Sequence, residues 1–135
     1  MADEAIIVEL LGNRGDPIQY TCLDANAIPK GTVLELEDLR TVKVMSATDK
    51  PVAGIAAHEK VASDGSSTIG VYTNGIFKMV VGSTGCTVGS QVVSESGTNN
   101  HIKDLDTLDS ETGDVLGYAL ETGTNGETVL VRVMK

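Results

Sequence analysis

The sequence contains no tryptophan, one phenylalanine and three tyrosines. Aromatic rings therefore cannot organise the interior, and a stacking platform for sugars or bases is short of material. Proline is scarce too, at three residues, which excludes a proline-rich linker. The two cysteines, Cys22 and Cys86, form neither a disulfide framework nor a Cys-x-x-Cys pair. Zinc and dithiol chemistry thus lack support, and each thiol is expected as a small buried hydrophobe. Ten basic residues face nineteen acids, a net charge of −9. That balance repels a phosphate backbone and an anionic bilayer, so neither nucleic acid nor membrane is an expected partner. The apolar run Ala5 to Leu11 (AIIVELL) contains Glu9 and is far too short to span a bilayer. No basic segment precedes it as in a secretory signal. A soluble protein made in the cytoplasm is the expectation.

What the 135 residues do contain is glycine, 15 of them, among Val, Ile, Leu and Ala. The length suits one domain. Most of it reads as strand and turn. Strands are expected near Ile18–Leu23, Thr32–Leu36, Val42–Val44, Val52–Ala57, Thr68–Thr73, Ile76–Val81, Thr87–Val93, Val115–Glu121 and Thr128–Val133. Asn74-Gly75, between two β-rich runs, predicts a tight hairpin, because both residues accept positive φ. Residues 101–112 (HIKDLDTLDSET) fit a short helix or a structured loop equally well.

One phrase is spelled twice. Val52-x-Gly54-x-Ala56 returns as Val115-x-Gly117-x-Ala119. Gly31 to Gly89 is 58 positions, Gly54 to Gly117 is 63, and Gly65 to Gly126 is 61. Landmarks in one order at offsets near 60 indicate an internal duplication. Two copies are too few for a solenoid but enough for two halves of one barrel or sandwich. Glycine weakens a strand interior, so Gly54 and Gly117 are expected where strands bend or cross closely. The fold class is therefore all-β: a small barrel or sandwich of two related halves spanning 18–135, with residues 1–17 as an N-terminal arm. Ile6, Val8 and Leu10 fit an exposed arm and an ordinary barrel strand equally well.

Candidate chemistry is thin. His58 and His101 lie 43 positions apart with no Gly-x-Ser-x-Gly or His-Glu-x-x-His motif. The run from Gly82 to Ser90 (GSTGCTVGS) lacks the lysine and spacing of a phosphate loop and reads as a turn. The acidic cluster Asp104 to Glu111 fails the calcium-loop pattern, with Leu108 at position five and Val115 at position twelve. Arg14-Gly15-Asp16 reads as a turn. No catalytic, metal or cofactor residue is expected, and the chain is not expected to be an enzyme.

The run PVAGIAAHEKVASDGSSTIGVYTNGIF, Pro51 to Phe77, resembles the head decoration (capsid cement) proteins of tailed bacteriophages. AIPKGTVLEL and the closing Gly117-Tyr118-Ala119-Leu120-Glu121-Thr122 with Gly126-Glu127-Thr128-Val129 are similar to that family as well. The likeness covers roughly residues 18 to 135. It implies a small β-rich virion protein, without cofactor, on the outer surface of an assembled shell. The partners it implies are the major capsid protein and neighbouring copies of itself, with a trimer favoured. The exposed arm then becomes the expected contact, through Ile6, Ile7, Val8, Leu10 and Leu11, since a free apolar segment on a soluble protein generally meets a partner. Residues 28–39 (IPKGTVLELEDL) are also similar to the opening of SAF-type modules, which implies a carbohydrate-binding alternative. A third reading is a small enzyme whose site forms only in an oligomer.

Overall fold

The computed structural model describes residues 3–10, 17–47, 50–95, 100–105 and 113–135. Among these, every regular element is a strand. The order is β1 (Ile6–Glu9), β2 (Ile18–Cys22), β3 (Val33–Asp38), β4 (Thr41–Val44), β5 (Val52–Ala56), β6 (Thr68–Tyr72), β7 (Asn74–Val80), β8 (Gln91–Ser94), β9 (Ile102–Asp104), β10 (Val115–Ala119) and β11 (Thr128–Met134). Strands β2-β4-β3-β5-β6 close into a barrel, and β1-β7-β11-β10-β8-β9 form a second sheet.

The duplication is visible strand by strand. In the first half β2 pairs β6, β6 pairs β5, β5 pairs β3 and β3 pairs β4, all antiparallel, and β4 returns to β2 in parallel. In the second half β7 pairs β11, β11 pairs β10, β10 pairs β8 and β8 pairs β9, all antiparallel. A parallel bridge from Val81 to Ile102 then brings β9 back to the end of β7. Even the isolated bridges correspond: Ile28 with Lys60, and Cys86 with Gly123.

The repeated phrase marks the same bend in both halves. Opposite β3, Ala53 is skipped in the register of β5, and opposite β8, Leu116 is skipped in β10. Such a bulge adds one residue and curls a sheet toward closure. Beside each bulge stands the glycine. A Cβ on Gly54 would strike the Tyr72 carbonyl oxygen, and one on Gly117 would strike the Arg132 carbonyl oxygen. The neighbouring backbone, β6 in one half and β11 in the other, occupies the side-chain volume.

Two apolar clusters result. Cys22, Ile28, Leu34, Val42, Ala53, Ala56, Ile69 and Val71 fill the first barrel. The larger cluster fills the second half and continues into Val33, Met45, Val52 and Ile55, which point out of the first barrel. Both cysteines are free and buried, and burial raises both thiol pKa values.

Two expectations are corrected. Asn74-Gly75 is no hairpin: β6 and β7 lie in different sheets, and both residues belong to β7, opposite Met134 and Val133. The strand passes straight from one half to the other. Gly75 is needed for a close approach, since a Cβ there would sit 2.9 Å from the Glu9 carbonyl oxygen. Residues 102–104 of the 101–112 segment are neither helix nor loop but strand β9, fixed by pairing with β8. Residues 106–112 lie outside the described residues, as does Arg14-Gly15-Asp16.

Candidate interaction surface

Strand β1 is laid on β7 at the outside of the second sheet, and no strand among the described residues pairs with its other edge. Ile6 lies opposite Lys78, Ile7 opposite Phe77 and Glu9 opposite Ile76, with Val8 bulged out between them. Alternation sorts the side chains, because successive residues of a strand face opposite sides. Ala5 enters the core, while Ile7 and Leu10 pack against it. Ile6 and Val8 point outward and stay 59% and 46% exposed. The five contact residues named from the sequence thus divide: two outward, two inward, and Leu11 outside the described residues. Two further contacts secure the segment. The Ala5 amide donates to the Gly31 carbonyl at 2.7 Å, and His101 Nε2 meets Asp3 Oδ2 at 2.7 Å.

A second surface was not anticipated. Ile18 and Leu36 face the interior of the first barrel at the end where β2 begins and β3 stops, yet both remain solvent-exposed. Leu39, in the β3–β4 turn beside them, is 91% exposed. The turn is held from below. Arg40 takes φ +49°, a conformation uncommon outside glycine, and its Nε donates to the Gln19 carbonyl at 3.0 Å. Its guanidinium lies 5.9 Å from the centre of the Tyr20 ring, within cation–π range.

The opposite end of the first barrel carries an ionic knot. Lys60 is 2% exposed, and its Nζ donates toward Asp24 Oδ1 (3.0 Å), Asp64 Oδ1 (2.7 Å) and the carbonyls of Asp24 (3.0 Å) and Val61 (2.9 Å). Burial alone would depress the Lys60 pKa, but the hydrogen bonds to Asp64 and Asp24 outweigh it and hold it above the ordinary lysine value. The same Lys60 bond, with a further one from the Ser66 amide, lowers Asp64 to about 2. Leu23 and Val61 stand exposed on the loops so tied. Lysine in AAHEKVASDG reads as a surface residue; only the fold shows that Asp24, 36 positions away, closes over it.

No group of three His, Cys, Asp or Glu residues converges as a metal site among the described residues. His58 packs its ring beside Gly70, and His101 is paired with Asp3. The features described are thus two exposed apolar surfaces and one ionic knot.

Residues 12–134 match the family model described as phage cement protein. The chain belongs to that family. As a cement protein it has a structural, capsid-associated role. No curated protein matches it at a significant level. Among solved structures it is similar to the N base of the head fiber gp8.5 in bacteriophage phi29, at 16% identity and a TM-score of 0.53, over 86% of this chain and 92% of that one. At that identity the likeness shows a shared fold.

Proposed function

We propose that this cement protein seats on the outer surface of an assembled phage shell, binds the major capsid protein and bridges its subunits without catalysing a reaction. The family match over residues 12–134 carries the reading. The protein is made in the host cytoplasm and acts on the virion as a homo-oligomer, with the trimer favoured. The proposed capsid contact is the N-terminal segment, with Ile6 and Val8 on the outer face of β1, together with Leu11. Ile7 and Leu10 support that face from within.

The physical action is linkage. A molecule that binds the assembled shell and not its separated subunits stabilises assembly by mass action. An interface of about 1,600 Å² suffices for specific attachment, and many equivalent sites multiply the effect. Co-sedimentation with purified shells tests this. The wild type is expected in the pellet, and the double variant Ile6→Lys, Val8→Lys, altered only on outward side chains, in the supernatant with an unchanged melting curve. Equal pelleting of both would remove β1 from the contact, and failure of the wild type to pellet would remove the function.

A further inference from the structure

The two halves of the chain are joined head to tail, and the join leaves one surface of each kind uncovered. Three paired residues, Val33, Ile55 and Tyr72, form a row across β3, β5 and β6. With Val52 and Met45 they leave the first barrel and pack on the second half. There they meet the end of the sheet where Phe77 points inward, with the Tyr72 and Phe77 rings 6.0 Å apart. Asn100 completes the join: its Oδ1 accepts the Val33 amide at 3.0 Å.

Each partner in this join has a counterpart in the other half. The row Val33–Ile55–Tyr72 corresponds to Gln91–Tyr118–Arg132, paired in the same register across β8, β10 and β11. The covered Phe77, opposite Val131, corresponds to Ile18, opposite Val71. Asn100, at φ +59°, corresponds to Arg40, at φ +49°, each two residues before the β9 or β4 residue that makes the parallel contact. In the second half the receiving end is sealed. In the first half Ile18, Leu36 and Leu39 lie open.

We propose that a second copy of this chain completes the series: its Gln91–Tyr118–Arg132 row covers the Ile18, Leu36 and Leu39 end of its neighbour. The contact repeats between molecules the join already made within one. Charge favours it. Arg132 and Lys78 lie on the donating face, and Asp38 borders the receiving end, where Glu37 is already paired with Lys43 at 3.1 Å. Arg132 donates through Nη2 to Asn74 Oδ1 at 3.0 Å, while its buried Nε has no acceptor among the described residues. Tyr and Arg are the residue types that anchor protein interfaces. The contact is heterologous, so it closes into a ring when the rotation permits. It gives a geometry to the self-association in the functional reading and rests on that reading only there.

The test uses light scattering on the full chain with two single variants. Arg132→Glu disables the donating face and Leu39→Glu the receiving end. Each is expected to weaken self-association by at least about 30-fold, the scale of an interface hot spot, and to elute as a monomer. Mixed, they are expected to form a one-to-one dimer, because each retains the surface the other lacks. Gln91→Glu, on an exposed side chain of the same row, replaces Arg132→Glu if the latter melts early. A monomeric wild type, variants that oligomerise like wild type, or a mixture that stays monomeric would each overturn the proposal. Shell co-sedimentation separates the two readings: a monomer that still pellets ends the head-to-tail contact alone, and an oligomer that does not pellet ends the cement function alone.

Discussion

The two halves follow one strand path and bury different things. At the bridge that joins β5 to the following loop, the first half places Lys60 and surrounds it with Asp24 and Asp64. The second half has Gly123 there. Its following turn is held by Glu127, whose Oε1 accepts the Thr124 amide at 2.7 Å and the Thr124 hydroxyl at 2.8 Å. At the other end the first half leaves Ile18 and Leu36 in solvent, whereas the second places Phe77 and Ser94 in the same positions and buries both. Topology is thus set by glycines and bulges common to both copies. The side chains at the ends differ between the copies.

Substitutions at corresponding positions can break this comparison. Phe77→Ala is expected to cost about 3–5 kcal/mol by urea denaturation, whereas Ile18→Ala, at the matching site, is expected to cost about 1 kcal/mol or less. Equal losses would show that the two ends are equally packed. Next come Gly54→Ala and Gly117→Ala. Both force a Cβ against backbone of the adjacent strand, and both are expected to destabilise by roughly 1–3 kcal/mol or more. Should one copy tolerate alanine, the bend would not be common to the halves.

Acid acts on both halves, through Asp64 in the first and through Glu95 and Glu127, whose carboxyls also sit below their ordinary range, in the second. Because Asp64 is held at about 2, below its value in an unfolded chain, its contribution is complete above roughly pH 4 and drains away as pH falls toward 2. Asp64→Asn is expected to flatten that part of the stability–pH profile in thermal melts, and an unchanged slope would remove the knot from the account. The smallest effect belongs to Leu39→Glu, expected within about 0.5 kcal/mol of wild type, which would confirm that this leucine does nothing for the fold.

Much of this architecture can be read from the chain. The alternating runs announce the strands, and Gly54 and Gly117 announce the duplication, because local β-patterning and an obligatory glycine are sequence-visible. Three features were not legible. Asn74-Gly75 carries a strong hairpin signal locally, and what overrides it is the packing of Glu9 and Leu10 from far upstream. Strand β9 is three residues long and borders an acidic run, too short for periodicity to declare it. The open end and the knot depend on which residues the barrel brings together: Ile18 with Leu36 and Leu39, Lys60 with Asp24. Of the proposed contact, the sequence shows that Ala5 to Leu11 is apolar, but only pairing with β7 sorts Ile6 and Val8 from Ile7 and Leu10.

The placement of β1 carries a consequence for synthesis. Strands β2 to β6 close on themselves between residues 18 and 72, so the first barrel can fold as soon as they have left the ribosome. Ile6 must wait for Lys78, 72 positions later, and β7 in turn needs β11 before its sheet is whole. Strand β1 is therefore expected to take up its final geometry only after β7 and β11 have been made.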